Sequence, residues 1–335
     1  MKNLLILLVS LLLSTAFSHA QTVIRIRSGQ PIESIIDNVT TVAGTVLLLD
    51  PGSYVGFTVR KRVSIIGSGS FGTNASTING SVTFSENNNS NSDNSYITGC
   101  SVDGIQVNQD NIAIQKCRVN TVFTGINIGN VNNCKVLQCF LIGTIGIDGA
   151  ASNFTIQGNI IQNRIDIPFT TGAASGKIIY NTVGSNDRCV PMSSRATING
   201  MAISNNIFIS PIVCDNRDSR TNYQTNFFAK FNNNVVRLGN YQSADLSNKF
   251  LNNENMAQVL FTATATSVDG QYILSANSPA KGAGEGGTDI GAFGGPEPYV
   301  IGGAPLGPTI TELQVPSTAR QNETIQIRLK ARVQN

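Results

Sequence analysis

Between Tyr96 and Val236 the chain repeats one short phrase of apolar and polar positions. An apolar residue is followed by two mostly polar or small positions, then Cys or Asn, one variable residue and a second apolar residue. The copies align into three columns. The first is Ile97, Ile114, Val136, Ile156, Ile178, Ile203, Phe231; the second is Cys100, Cys117, Cys139, Asn159, Asn181, Asn206, Asn234. The third is Val102, Val119, Leu141, Ile161, Val183, Phe208, Val236. The middle column steps by 17, 22, 20, 22, 25 and 28 residues. A period near 20 that drifts by insertion predicts a stacked solenoid with the extra residues in loops. Two further columns, Ile105, Ile126, Ile145, Ile165 and Val107, Ile128, Ile147, Ile167, enclose Gln106, Asn127, Gly146 and Asp166. That alternation predicts a strand with Ile inward and polar groups outward.

The predicted fold is all-β: a single-stranded, right-handed parallel β-helix with an N-terminal helical cap and a C-terminal β-hairpin. One coil is too small to bury its own apolar face, so coils stack at about 4.8 Å. Asn in the middle column is expected to take left-handed geometry at a tight turn and to hydrogen-bond its copy in the next coil. Cys fills the same place in earlier coils because it is small and tolerates burial. The missing Leu frame and the many Val, Ile and Thr residues exclude an ordinary leucine-rich repeat. Cys134 falls in another inward column with Ile112, Phe154 and Met201. In-register neighbours point the same way, so Cys100, Cys117, Cys134 and Cys139 are read as stacked free thiols. Cys189 and Cys214 lie in long loops of adjacent coils, and both a bridged and a free state stay open.

The ends of the chain break the period. TVIRIR at 22–27 alternates as a strand, and Gln30–Asn38 has Pro early and apolar residues at helical spacing. That helix would cover strand edges that otherwise invite pairing. SENNNSNSDNS at 85–95 is expected to be a solvated lateral loop. TITELQV and TIQIRLKARV in the tail, joined by PSTARQNE, predict a hairpin. It would serve as a cap over the last coil or as a strand pair for self-association or a protein partner.

The run TVLLLDPGSYVGFTVRKRVSIIGSGS after the helix resembles the entry to β-helices of the pectin-lyase-like superfamily. QYILSANSPAKGAGEGGTDIGAFGG at 271–295 resembles the segment that closes the solenoid in exported bacterial members. The resemblance covers most of residues 22–300 and implies architecture and export; it says little about activity.

Export agrees with the first twenty residues: Lys2, the apolar run Leu4–Leu13 and a small-x-small site at Ser18-His19-Ala20. The expected organisation is a signal peptide at 1–20, the β-helix at 21–300 and the hairpin tail at 301–335. The run is too short for a membrane span, so none is expected in the mature chain. The expected location is outside a bacterial cell or on its outer surface, after cleavage near Ala20. A net charge of +3 is too weak and scattered for a nucleic-acid partner.

The chemistry is constrained by what is missing. The only His is His19, in the leader, which removes imidazole bases and His-ligated metals from the mature chain; there is no Trp. The superfamily's patterns do not carry over. There is no Asp-Asp pair or Gly-His-Gly, and only Asp166 is acidic on the outward stripe, too few carboxylates for a Ca²⁺ cage. No catalytic residue, metal or cofactor is therefore expected. Candidate carbohydrate-binding residues are Asp166, Tyr180, Arg188, Arg195, Arg217, Arg220, Tyr223 and Lys230, because long loops on a rigid scaffold carry binding residues. Two functions follow. The preferred one is a non-enzymatic exported protein presenting a lateral surface to glycans or partner proteins at a bacterial cell surface. The alternative is a polysaccharide lyase using the Arg/Lys-rich loops of the later coils.

Overall fold

The computed structural model describes residues 21–166 apart from 88, 89 and 149, then 175–184, 202–209, 231–232, 235–237, 249–251, 261–262, 267–303, 308–314 and 328–333. Strand Val23–Ile26 (β1) is followed by helix Ile32–Asp37 (α1), strand Thr45–Leu49 (β2) and strand Gly52–Val59 (β3). From there the chain winds as a parallel β-solenoid with three faces.

Face one is a ten-stranded sheet. It starts with β1 and β2 and continues through Tyr96–Thr98, Ala113–Gln115, Lys135–Leu137, Phe154–Gln157 and Gly176–Ile179 to Phe231–Asn232. The first-column residues are direct partners: Ile97 with Ile114, Ile114 with Val136, Val136 with Ile156, Ile156 with Ile178. In the early coils β3, Ser76–Phe84 and Cys100–Val107 each run through faces two and three as one long strand with a register shift at the corner. Later coils break that strand in two. Face two then consists of pairs such as Phe140–Leu141, Ile160–Ile161 and Thr182–Val183; face three consists of Thr124–Ile128, Thr144–Ile147 and Ile165–Asp166.

The core is the inside of this tube. Ile97, Ile114, Val136, Ile156 and Ile178 are fully buried, as are Val102, Val119, Leu141, Ile161, Val183 and Phe208. Each such side chain is worth about 1.5–3 kcal/mol of burial. Cys100, Cys117, Cys134 and Cys139 are free and buried, as the in-register geometry predicts. Cys189, Cys214, Met201 and Ile167 lie outside the described residues.

The corner between faces one and two corrects one expectation. Left-handed backbone belongs to the residue before the Cys/Asn column, not to the column itself. Lys116, Gln138, Tyr180 and Asn205 have φ of 51°, 53°, 55° and 58°, and Gly99 and Gly158 take the same place. This kink aims one side chain outward and swings the next one, Cys or Asn, into the core. There the carboxamides form a ladder. Asn181 Oδ1 accepts from the backbone N–H and Nδ2 of Asn159 at 3.0 and 2.9 Å, and Asn206 Oδ1 does the same for Asn181 at 2.9 and 3.0 Å. A second ladder, not anticipated from sequence, runs outside the corner before face one. Asn94, Asn111, Asn133 and Asn153 are all left-handed; Asn133 donates to Asn111 Oδ1 at 2.9 Å and Asn153 donates to Asn133.

At the N-terminal end α1 lays Ile32 and Ile36 on the core. The Glu33 carboxylate accepts from the Thr58 backbone N–H at 3.1 Å and pairs with Arg60 at 2.7 Å. Within the stretch expected to be a solvated lateral loop, Glu86–Asn87 pairs with Ser90–Asn91, and Ser90 Oγ donates to Arg60 O at 2.7 Å.

The segment expected to close the solenoid runs back along its flank. As the chain advances from 285 to 303 its contacts step back through earlier coils. Glu285 N donates to Asn205 Oδ1 at 3.1 Å, Ala292 N to Thr182 Oγ1 at 3.0 Å, and Gln138 Nε2 to Pro298 O at 2.7 Å; Gly303 lies against Ser70. The reason is apolar surface on the outside of face two. Phe140, Ile160 and Ile207 point outward yet are buried, because Ala292, Tyr299, Ile290, Leu274 and Phe261 cover them. In the tail, Pro308–Gln314 pairs antiparallel with Arg328–Val333 as a separate two-stranded sheet.

Candidate binding corner on face three

Face three carries a polar stripe in strict register. Thr58 pairs with Thr83, Thr83 with Gln106, Gln106 with Asn127, Asn127 with Gly146 and Gly146 with Asp166. Parallel strand spacing places one of these groups about every 4.8 Å. Gly146 interrupts the row, and its neighbours lean over the gap: a Cβ there would come within 3.2 Å of Asn127 Oδ1 and 3.4 Å of Thr124 Cγ2.

A loop leads into the strand that carries Asn127. Between inward Val119 and inward Ile126 stand six residues, where the next two coils have three. The loop is pinned at both ends and in the middle. Asn120 N donates to Val102 O at 2.9 Å, Asn163 Nδ2 to Val122 O at 3.3 Å, and Thr144 N to Phe123 O at 2.8 Å. Gly143 sits beneath it, and any Cβ there would strike the carbonyl oxygens of Thr121 and Phe123. The result is an exposed aromatic ring on a fixed backbone: Phe123 is 85% and Val122 65% exposed. Exposed single apolar residues are ordinary. Two at the tip of a pinned loop make an exposed apolar pair on a fixed backbone, the kind of position from which loops on rigid scaffolds present side chains.

Arg164 completes the corner. Its carbonyl accepts from Ile145 N at 3.0 Å, which fixes it next to Thr144. One terminal nitrogen lies 3.5 Å from Asp166 Oδ2, with both side chains about a third exposed. A pair that long and that wet contributes at most about 1 kcal/mol. Arg164 Nε is buried and, among the described residues, has no acceptor. Face three therefore carries an exposed apolar ring, a partly exposed cation, a carboxylate and a carboxamide. That set suits a sugar ring, whose C–H face packs on an aromatic while its hydroxyls need donors and acceptors.

Of the residues expected from sequence, Asp166 is in this corner. Tyr180 is not, and its expected role as a sugar-stacking face is corrected by its packing. It is 8% exposed, a Cβ on Gly295 would lie 2.7 Å from its ring, and its hydroxyl meets Thr288 Oγ1 at 3.1 Å. The strap from 267 to 303 has taken the ring face. Arg188, Arg195, Arg217, Arg220, Tyr223 and Lys230 lie outside the described residues. Phe123 and Arg164 were missed. Two signals pointed to them: the lengthened Asn120–Gly125 insertion, and the spacing of Arg164 and Asp166, which puts both on one side of a strand.

A cavity of about 440 Å³ lined by Ala43, Lys61, Arg62, Ser90, Asn91, Asp93 and Asn94 is a weaker candidate. Its central groups are already engaged: Lys61 Nζ donates to Asn38 O at 2.7 Å, and Asp93 accepts from Asp110 N at 3.0 Å and Asn91 Nδ2 at 2.8 Å. Among the described residues no group of three His, Cys, Asp or Glu could hold a metal ion. Among them also, no helix is long and apolar enough to cross a membrane.

No protein-family model matches the chain, and no curated protein matches it. Among solved structures it is similar to a mutant form of the PL6 family alginate lyase AlyGC, at 9% identity and a TM-score of 0.25. The match covers 78% of this chain and 58% of that one, so it spans less than two thirds of that protein. A likeness at this level carries no argument about activity or site.

Proposed function

We propose that this protein is an exported solenoid that binds a glycan at the face-three corner, holding the sugar without transforming it, at a bacterial cell surface. The observation that carries the reading is the exposed Phe123 ring on a loop held by Thr144 and Asn163, on the same face that carries Asn127, Arg164 and Asp166. The ring supplies the apolar face, and the polar groups select hydroxyl orientation. Burying a ring of this size in contact with a ligand is worth about 2 kcal/mol. The remaining stripe, Gln106, Thr83 and Thr58, extends the surface along the solenoid axis and suits a polymer rather than a single sugar.

The test is a glycan-array screen followed by titration of the best ligand against the unaltered protein, Phe123→Ala and Asp166→Asn. Phe123→Ala is expected to weaken binding at least tenfold with no change in melting temperature, since the ring touches solvent. Equal affinity in Phe123→Ala would reject this corner. Incubation with acidic polysaccharides, followed by absorbance of new unsaturated ends, addresses the lyase alternative. Turnover would overturn the non-catalytic part of the proposal.

A further inference from the structure

The N-terminal end of a parallel solenoid exposes three strand edges, one per face, and here they are treated differently. The first strand of faces two and three, β3, is closed by its neighbours. Gly29 N donates to Ser53 O and Ser53 N donates to Ser28 Oγ, both at 3.0 Å, and Glu33 accepts from Thr58 N at 3.1 Å. Face one begins with β1, which among the described residues pairs with β2 alone.

The register fixes which groups are left over. Val46 N donates to Thr22 O and Asp50 N to Ile26 O, with Val23 opposite Val46 and Arg25 opposite Leu48. In a parallel pair the N–H and C=O of one residue point to the same side. Thr22, Ile24 and Ile26 thus face β2, while Val23 and Arg25 aim both backbone groups away from it. Arg27 lies on the open side too, but its N–H and C=O are both taken by Gln30, at 2.7 and 3.1 Å. Among the described residues nothing meets the backbone groups of Val23 or Arg25. The side chains match an uncovered edge: Val23 is 56% exposed, Ile24 is half-buried against the core, and Val39 and Val42 stand exposed in the segment before β2.

We propose that β1 is a pairing edge and that its occupant is β1 of a second copy of this chain, joined antiparallel across a two-fold axis at Ile24. That register pairs Val23 of each copy with Arg25 of the other and makes four backbone hydrogen bonds from the four unused groups on each copy. Arg25 faces Val23 instead of its own copy, so like charges are not placed directly opposite. The two Ile24 side chains meet on the inner side and extend the cores of both solenoids into each other. The two ten-stranded sheets become one. A foreign strand is disfavoured because self-pairing satisfies every open group with residues already present, in a register that the blocked Arg27 limits on one side.

The test is the molar mass of the purified protein by sedimentation over a hundredfold range of concentration. The mass is expected to rise toward twice that of one chain. Arg25→Pro and Val23→Pro each delete an N–H that points away from β2, so each is expected to fold, to stay monomeric and to lose any dependence of melting temperature on concentration; Val23→Pro is the cleaner of the two, since Arg25→Pro also removes the exposed Arg25–Asp50 pair. Should either variant fold poorly, amide exchange on the unaltered protein gives a second readout. The Val23 and Arg25 N–H groups should become protected as concentration rises. A protein monomeric across the whole range, a dimer that persists in the folded Pro variants, or exchange at Val23 and Arg25 independent of concentration would each overturn the proposal.

Discussion

Asn181 shows how much one side chain does inside the tube. Its Oδ1 receives two donors from Asn159, and its Nδ2 reaches Ile156 O and Ile179 O at 2.9 and 3.0 Å as well as Asn206. Asn181→Ala strands the Asn159 N–H and two carbonyls in a dry core. The expected loss is about 3–5 kcal/mol in a urea titration, since each unpaired group costs about 1–3 kcal/mol. A loss below about 1 kcal/mol would show that the ladder is ornamental. The thiols in the same file make weaker bonds, such as Cys139 Sγ to Leu137 O at 3.3 Å. Buried thiols matter more at high pH, and Cys134, in the separate inward column with Ile112 and Phe154, shows it. Burial pushes the Cys134 thiol up from 9.0 to about 12, so the folded state favours the neutral form. A raised folded value contributes stability that is whole below the unfolded pKa and is lost as pH climbs through the folded one. Here that window runs from about pH 9 to about 12, and the contribution is about 4 kcal/mol. Cys134→Ala is expected to be less stable than the unaltered protein at pH 7 and to show a shallower fall between those limits. The measurement is unfolding free energy against pH. Parallel curves would contradict the assignment.

The strap from 267 to 303 is the element whose position depends on single small residues. Gly295 lies flat on the Tyr180 ring at φ 75°, where a Cβ would sit 2.7 Å from ring carbons. Gly295→Ala therefore combines left-handed strain of about 1 kcal/mol with a clash against a buried ring. Limited proteolysis should cut within 267–303 faster in this variant, while the β-sheet circular dichroism of the solenoid stays the same. Unchanged cleavage would mean that the strap is held elsewhere, for example by Asp269. That carboxylate accepts from Tyr299 at 3.1 Å and Gly302 N at 2.7 Å. Face two also explains why this element was misplaced from sequence. Phe140-Leu141, Ile160-Ile161 and Ile207-Phe208 are consecutive apolar pairs, the pattern of strands buried on both sides. The repeat columns hold the inward member of each pair, Leu141, Ile161 and Phe208, and give no place to the outward Phe140, Ile160 and Ile207.

As a whole the molecule is held by apolar stacking and carboxamide ladders more than by charge. The described residues contain four ion pairs, each with at least one partner more than a quarter exposed. Glu33 is held below its usual range mainly by its hydrogen bond to Arg60, with burial opposing. Its contribution is present above the unfolded carboxylate value and lost as pH falls through the lower folded one. Exposed pairs are worth about 0.2–1 kcal/mol and are screened by salt. Raising NaCl from about 0.05 to 1 M is thus expected to move the melting temperature by less than about 3 °C. A larger fall would mean that ionic contacts dominate.

The amino-acid order alone determined the coil. Apolar and polar positions recur with the period of a winding, and each winding touches mainly its neighbours, so local spacing suffices to set the register of Cys139, Asn159 and Asn181. It also placed Asp166 on an outward stripe, because strand alternation admits no other side for it. Three things needed the tertiary structure. The strap meets residues 80 to 233 positions earlier in the chain, a separation no short period can encode. The Phe123 ring is presented because Gly143, Asn163 and Thr144 from later coils prop its backbone. The open edge of β1 exists because Glu33, Ser28 and Gly29 reach β3 and stop short of face one, and where a helix and its flanks come to rest is decided by packing across the end of the tube.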